Sequence, residues 1–317
     1  MLSTPLRLIH HELIIFWRFT WRDWSAGIMP GTLRTIAALC SLHSPSAELI
    51  VLTIARAFVY FVLYLYTFNI ANQITGLDED RINKPDRPLP SGLLSIRGAY
   101  VRLCLLTAVY IYVSAVWGVL PWTFLWLFIS ALETFGQCDR NWFFKNVIFV
   151  SVGTFCLLQA AWALAAPITP RETHWAMVLS LAFGITINIQ DLRDVEGDRA
   201  TFRRTLPIVL GVRNFRWVMA AITAITPYVC WLVEFELDWR AGVALTIAMF
   251  LLAGRILGGA SKDKKYDHKT YMVRVSRLVL ARKLTSCLDA DLYPVWLHCC
   301  TVDKALGGFG CDLGQRL

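Results

Sequence analysis

The sequence predicts an all-α fold, a polytopic transmembrane bundle of about eight to nine helices around a central cavity. Of its 317 residues, 56% are hydrophobic and only 17% are charged, and the mean hydropathy is +0.50. Soluble domains are about 45–50% apolar and about 25% charged. The apolar residues also occur in runs near the ~20 residues that cross a bilayer. This composition excludes a disordered chain, a collagen-like repeat and a disulfide scaffold.

Eight segments have the length and composition of a membrane span. Pro30 and nearby charged residues weaken the first, and Pro121 separates the third tightly from the fourth. Charged residues interrupt a ninth candidate, 271–290, so it lacks the continuous apolar run of a span. The eight predicted spans are 21–42, 48–72, 98–119, 120–135, 146–166, 174–190, 216–234 and 240–259.

The basic residues of the links predict how the chain lies in the membrane. Fifteen Lys and Arg residues fall in the links 73–97, 136–145, 191–215 and 260–270, whereas the opposite links hold Arg171 alone. By the positive-inside rule, the richer side faces the cytoplasm. We expect an integral, multi-pass protein of the endoplasmic reticulum without a cleaved signal peptide. Since topology explains the net charge of +8, no nucleic acid is expected, and no protein partner is indicated.

Two links are acidic as well as basic, and they follow the second and the sixth span. The first carries Asn72 and Asp80, eight residues or about two turns apart, and the second carries Asp191, Asp194 and Asp198. On a continuing helix, each set shares one face. Four spans lie between the links, and an even number of crossings returns the chain to the same side. Both links are therefore expected to open on the cytoplasmic side, over one cavity.

Carboxylates clustered this closely repel one another unless a cation neutralises them. Mg²⁺ prefers oxygen ligands and combines one or two carboxylates with water and substrate phosphates. Basic side chains near the clusters suit the remaining phosphate oxygens: Lys84, Arg87, Arg193 and Arg199. Facing clusters of this kind favour metal ions that bridge a diphosphate, and an isoprenyl diphosphate suits a membrane cavity. The alternatives are solvated loops that cap helices, or a non-catalytic membrane protein such as a transporter. EF-hand, P-loop and Rossmann patterns are absent from the sequence.

Both links resemble motifs of the UbiA superfamily of intramembrane prenyltransferases. The first is similar to the NxxxDxxxD signature continued by NKPxRPxPSG, and the second to DxxDxEGD followed by TLP at residues 205–207. The resemblance covers about residues 15–275. It implies a helical bundle of about nine spans, dependence on Mg²⁺ and ionisation of a prenyl diphosphate. We therefore expect a UbiA-type transmembrane catalytic domain over 1–275 and a divergent tail, in place of a regular last span, over 276–317.

The resemblance also implies site residues. Two positions depart from the family pattern: the middle Asp of the first motif falls on Gly76, with Asp78 or Glu79 as candidate replacements, and Phe202 stands where Gly is common. The expected metal ligands are Asn72, Asp80, Asp191, Asp194 and Asp198, with Asp80, Asp191 and Asp194 as the catalytic residues. The expected diphosphate contacts are Asn72, Lys84, Arg87, Arg193 and Arg199.

After ionisation, an allylic cation is captured either by an acceptor or by its own distant double bonds. The form NQxxxxxEDxxNKPxRPxPSG with QDLRDxEGDRA resembles fungal UbiA-type terpene cyclases of the bergamotene and cyathane types. We therefore expect a cyclase that converts farnesyl or geranylgeranyl diphosphate to a terpene in fungal-type secondary metabolism. The alternative is a prenyltransferase that uses an aromatic or other small acceptor.

Side chains within the spans bear on this choice. Aromatic residues such as Tyr64 and Trp126 suit a dry pocket that stabilises migrating positive charge, although packing explains most span aromatics. Few polar groups are available to orient an acceptor, and Glu133, near the end of a span, is interpreted as interfacial. Lys145 either reaches the phosphate or anchors its helix by snorkelling.

Overall fold

The computed structural model describes residues 4–233, 239–259, 266, 267 and 270, and the regular structure in these ranges is helical. A π-helix, Phe143–Ile148, precedes the seventh α-helix, and a 3₁₀ turn, Ile187–Gln190, follows the eighth. In chain order the α-helices are α1 (Thr4–Thr20), α2 (Ile28–Cys40), α3 (Ala47–Thr75), α4 (Leu77–Asn83), α5 (Ile96–Val116), α6 (Leu120–Thr134), α7 (Phe149–Ala163), α8 (Pro170–Thr186), α9 (Asp191–Ala200), α10 (Leu206–Leu210), α11 (Val212–Val233) and α12 (Trp239–Gly258).

Several helices begin or turn where the sequence supplies a suitable residue. Ser46, Ser95 and Thr169 precede α3, α5 and α8, and each side chain accepts a hydrogen bond of 3.1–3.2 Å from the backbone amide three residues on. Such caps satisfy amides that the start of a helix leaves unpaired. Gly118, with φ of +74°, provides the left-handed turn between α5 and α6, and Pro121 occupies the first turn of α6.

The predicted all-α class is confirmed for the described residues, and each of the eight predicted spans overlaps a helix. Four helices are long and apolar enough to cross a bilayer: Ala47–Thr75, Ile96–Val116, Phe143–Ala163 and Pro170–Ala200. Large apolar side chains of these helices, such as Val51, Leu105 and Leu181, are exposed, as lipid requires. The ninth candidate span, 271–290, and the expected tail, 276–317, lie outside the described residues.

The start of the bundle differs from the sequence prediction. The first span was expected over 21–42, but α2 begins at Ile28, and the preceding residues form a 3₁₀ turn, Trp21–Asp23. Arg22 pairs with Asp86 at 2.6 Å, which shows why these charged residues leave the span. The helix before this turn, α1, was not predicted; it packs on α3 and buries Ile15.

The two acidic links meet at one end of the bundle, where α4 packs against α9. In the second link, α9 continues through Asp191, Asp194 and Asp198, and all three side chains are buried. In the first link, the expectation of a continuous helix through Asn72 and Asp80 is wrong. Helix α3 ends at Thr75 and α4 starts at Leu77, because Gly76 departs from helical geometry with φ of −95° and ψ of 20°.

Candidate active site

A cavity of about 200 Å³ lies at the end of the bundle where the acidic links meet, and it has a charged end and an aromatic wall. Of the nine expected site residues, five line it: Asn72, Lys84, Arg87, Arg193 and Asp194. The other charged lining residues are Asp23, Glu79, Glu133, Lys145 and Arg203, and the aromatic ones are Tyr64, Phe68, Trp126, Phe149 and Phe183.

In the first link, Asp80 lies behind Arg87. One guanidinium nitrogen, Nη1 of Arg87, donates to both carboxylate oxygens of Asp80 at 2.8 and 2.9 Å, and both side chains are buried. Burial alone would lower the pKa of Arg87, but the carboxylates of Asp80 and Asp23 outweigh it and raise that pKa. Asp80 therefore holds a permanently charged guanidinium at the cavity.

Of the two candidates for the missing acidic position, Glu79 lies at the cavity and Asp78 does not. Glu79 is buried and pairs with Arg203, with Lys84 Nζ at 3.9 Å. The side chain of Asp78 is 85% exposed and pairs with Arg81. Burial opposes the ionisation of Glu79, but the neighbouring cations outweigh it and hold its pKa below the ordinary value. Glu79 is therefore ionised at neutral pH.

In the second link, Asp191 receives two donors from the π-helix. Lys145 Nζ lies 3.1 Å from Oδ1, and Asn146 Nδ2 donates to Oδ2 at 2.7 Å. Consecutive side chains on an α-helix diverge by about 100°. Lys145 and Asn146 are consecutive residues of a π-helical turn, a local departure from α-helical geometry that is frequent at functional sites. Of the two interpretations of Lys145, the structure supports contact with the site, since this side chain also lines the cavity.

The remaining aspartates differ in their partners. Asp194 lines the cavity and accepts a hydrogen bond from Arg193 Nε at 3.2 Å. Asp198 is fully buried, and neither of its oxygens has a hydrogen-bond donor among the described residues. The nearest cations are Arg203 at 3.5 Å and Lys145 at 3.8 Å. A buried, ionised carboxylate without hydrogen-bond donors is costly, and a bound cation would offset that cost. The two oxygens of Asp198 are free for such a cation.

Arg199, an expected diphosphate contact, lies away from the central cavity. Its side chain is exposed and lines another cavity of about 500 Å³, together with Glu196 and Asp267. It follows Asp198 directly, and on a helix the next residue points about 100° away. The structure does not bring Arg199 to the central cavity.

Arg203 is a site residue that sequence reasoning counted only as a basic link residue. It donates hydrogen bonds to Glu79 and Asp139, and these carboxylates outweigh burial and raise its pKa. Phe202, with φ of +57°, turns the chain just before it, and the Arg203 amide donates to Asp198 O at 2.8 Å. Phe202, which stands where the family commonly has Gly, thus has a left-handed backbone conformation. Glycine adopts this conformation without cost.

Aromatic rings form the wall beside the charged end. The rings of Tyr64 and Trp126 stack with centroids 3.9 Å apart, and Phe68 and Phe149 stack at 5.0 Å. Trp126 Nε1 donates to the backbone oxygen of Tyr64 at 3.1 Å, which fixes the pair. Tyr64 and Trp126 were among the span aromatics named from the sequence, whereas Phe68 and Phe149 were not. The faces of such rings attract cations.

Glu133 corrects a sequence interpretation. It was expected at the membrane interface, but it is 5% exposed and lines the cavity. The hydropathy pattern marks the end of its span correctly, yet the link that follows folds back on that end, where its 3₁₀ turn, Cys138–Arg140, contacts α6. Sequence position alone does not reveal this contact.

The donor chemistry of the site fits a hard divalent cation. The acidic side chains offer oxygens only, and Asp198 offers two without hydrogen-bond donors. Within the described part of the chain, no three His, Cys, Asp or Glu side chains form a metal-binding group by themselves.

Comparison with known proteins gives consistent relatives. Diterpene cyclase eriG of Hericium erinaceus is 38% identical over 272 residues, which cover 83% of this chain and 85% of that protein. Polyprenyl transferase eriF of the same organism is 35% identical and covers 83% and 91%. A structure of a UbiA homolog from Archaeoglobus fulgidus bound to DMAPP and Mg²⁺ has the same fold, with a TM-score of 0.62, 13% identity, and coverage of 84% of this chain and 98% of that one.

The family model of the UbiA prenyltransferases matches residues 29–278, which confirms the resemblance drawn from the two motifs. Four apolar helices of spanning length agree with an integral membrane protein. The relatives include both a cyclase and a transferase. The chain is an integral membrane enzyme and belongs to the UbiA prenyltransferase family.

Proposed function

We propose that this protein is a Mg²⁺-dependent terpene cyclase that ionises farnesyl or geranylgeranyl diphosphate and closes the prenyl chain into a ring. One observation carries the proposal: both acidic motifs meet at a single cavity whose adjoining wall is the stacked pair Tyr64 and Trp126. A diphosphate fits the charged end, and a hydrocarbon chain fits the aromatic wall. The identity to a diterpene cyclase, 38%, supports cyclisation.

The basic side chains bind the diphosphate in this proposal. Lys84, Arg87 and Arg193 line the cavity with Asn72, and their charge-assisted hydrogen bonds suit phosphate oxygens. Lys145 and Arg203 line the same cavity and join this set. The exposed position of Arg199 gives no support to its expected role, so the proposed contacts are the cavity-lining residues.

The proposed Mg²⁺ ligands are oxygens of Asn72, Asp80, Asp191, Asp194 and Asp198, with Glu79 in place of the missing acidic position. The donor-free oxygens of Asp198 and the cavity position of Glu79 support this choice. When bound, Mg²⁺ neutralises the diphosphate and stabilises the charge on the leaving group. Asp80, Asp191 and Asp194 are the proposed catalytic carboxylates because they would hold the cations that neutralise the leaving group.

The aromatic wall acts on the prenyl chain in this proposal. Once the carbon–oxygen bond to the diphosphate breaks, the electron pair leaves with the diphosphate and the positive charge stays on the prenyl chain. The faces of Tyr64, Phe68 and Trp126 stabilise that charge and exclude water that would quench it. A distant double bond of the same chain then supplies the electron pair that closes the ring.

Prenyl transfer is the second candidate, because polyprenyl transferase eriF is 35% identical over 83% of this chain. The site would bind and ionise the same donor, and a small acceptor would capture the cation. The excess of Lys and Arg in the acidic links supports a cytoplasmic orientation of the site, and we propose the endoplasmic reticulum as its membrane.

Microsomes that contain the protein test the proposal. They are incubated with Mg²⁺ and farnesyl or geranylgeranyl diphosphate without an acceptor, and hexane extracts are analysed by gas chromatography–mass spectrometry. We expect a cyclic hydrocarbon, at least about 100-fold less of it with Asp194→Asn, and normal amounts with Glu196→Gln, an exposed carboxylate on the same helix. If the donor stays unreacted and an added phenolic acceptor restores turnover, the cyclase proposal is wrong and transfer is correct.

A further inference from the structure

Glu133 has no assigned role in the proposed reaction, yet it is a buried carboxyl group of the cavity. It is 5% exposed, and its Oε2 has no hydrogen-bond donor among the described residues. The other three acidic residues that line the cavity, Asp23, Glu79 and Asp194, each have a basic side chain within 4.0 Å. Glu133 is therefore the exception within the described cavity wall.

The position of Glu133 along α6 relates it to both ends of the cavity. It follows Trp126 by seven residues, which puts both on one helical face and separates them by about 10 Å along the axis. It lines the cavity together with Lys145 and Arg203, two basic residues of the charged end. Glu133 thus faces the junction between the diphosphate end and the aromatic wall.

The chemistry of the proposed substrate leaves this group without a partner. A buried polar oxygen needs a hydrogen-bond donor, but a prenyl chain has none and a diphosphate offers acceptor oxygens only. Mg²⁺ is accommodated by the aspartates of the two links. A hydroxyl group is the remaining chemistry that satisfies Glu133, since it donates one hydrogen bond and is small enough to lie beside the allylic carbon.

We infer that Glu133 binds the hydroxyl group of a nucleophile, either water or a small alcohol or phenol, at the junction beside the reacting carbon. The inference rests on the proposed ionisation. When the carbon–oxygen bond to the diphosphate breaks, its electron pair leaves with the diphosphate. The hydroxyl oxygen then forms a new bond to the allylic carbon, and its proton passes to the Glu133 carboxylate. Capture by oxygen competes with ring closure, so Glu133 sets the share of oxygenated product.

The test measures two quantities in the same reaction: pyrophosphate released and oxygen-containing product formed. Microsomes are given Mg²⁺ and, in separate reactions, farnesyl or geranylgeranyl diphosphate in ¹⁸O-enriched water, with and without p-cresol as the organic probe. Mass spectrometry then distinguishes capture of water, which carries ¹⁸O, from capture of the phenol. The ratio of oxygenated product to pyrophosphate does not depend on how fast the donor ionises.

We expect Glu133→Leu to lower this ratio about tenfold, the loss of one hydrogen bond to a charged group. Glu133→Gln retains an oxygen acceptor but takes no proton, so its ratio is expected between those of the wild type and Glu133→Leu. The matched control is Gln159→Leu, which removes another buried polar side chain whose Nε2 has no described partner and which does not line this cavity; it should keep the wild-type ratio.

The outcomes separate this inference from the proposed function. If the wild type releases no pyrophosphate, ionisation itself fails and both are wrong. If pyrophosphate is released but the wild type forms no oxygenated product in either arm, or if Glu133→Leu keeps the wild-type ratio, the inference is wrong and the proposed function stands.

Discussion

The side chain of Asn83 lies so close to Gly197 that a Cβ at position 197 would be 2.2 Å from its Nδ2. Asn83 also donates to Glu79 Oε1 at 3.1 Å and to the backbone oxygen of Asp194 at 3.4 Å. The two acidic motifs therefore touch directly, through a contact that requires glycine on α9. This contact holds α4 close to α9.

Gly197→Ala is expected to separate the two motifs. Overpacking of this kind costs about 1–3 kcal/mol, and a shift of α4 also misaligns Glu79, so product formation should fall more than about tenfold. Thermal unfolding in detergent and product analysis measure the two effects. Gly254→Ala in α12 is the control, because a Cβ there meets no atom within 4 Å. Equal behaviour of the two variants would contradict a packing role for Gly197.

Arg87→Met is expected to destabilise the protein by about 3–5 kcal/mol, because it leaves the Asp80 carboxylate buried without its partner. The double variant Asp80→Asn/Arg87→Met should recover part of that loss, since it removes the uncompensated charge. The exposed pair of Arg81 and Asp78 provides the comparison: Arg81→Met should cost at most about 1 kcal/mol. Denaturation midpoints of the four proteins test this, and a double variant less stable than Arg87→Met would contradict it.

Part of this site could be predicted because it depends on local geometry and on counting. The spacing of Asp191, Asp194 and Asp198 requires only that the helix continues, which α9 does. The meeting of the two links follows from the even number of spans between them. The break at Gly76 was missed because glycine is tolerated in many helices, so its presence does not indicate by itself where a helix ends.

The remaining site residues depend on tertiary structure. Lys145 and Arg203 were visible as basic link residues, but their partners Asp191 and Glu79 are 46 and 124 residues away. No local pattern indicates such pairing. Glu133 was misread for the same reason, since a residue at the end of a span is interfacial only if no other segment covers it.

Phe202→Gly is expected to stabilise the protein by about 0.5–1 kcal/mol, because Phe202 is 89% exposed and has a φ of +57°, where glycine relieves strain. Phe202→Ala is the matched variant, since it removes the same ring but keeps the strain. Melting temperatures in detergent should therefore rank Gly above Ala. Equal melting temperatures of the two variants would contradict backbone strain at this turn.

The dependence on Mg²⁺ should change most at Asp198. Its two oxygens have no hydrogen-bond donors among the described residues, so in the proposed site they are free to bind the cation. Chelation of Mg²⁺ by EDTA should abolish turnover, and Asp198→Asn should raise the Mg²⁺ concentration for half-maximal turnover about 10–100-fold, as loss of a ligand charge does. Glu196→Gln, two residues away and exposed, should leave that concentration unchanged. An unaltered Mg²⁺ dependence in Asp198→Asn would show that Asp198 is not a Mg²⁺ ligand. Its buried carboxylate would then be balanced by Lys145 and Arg203.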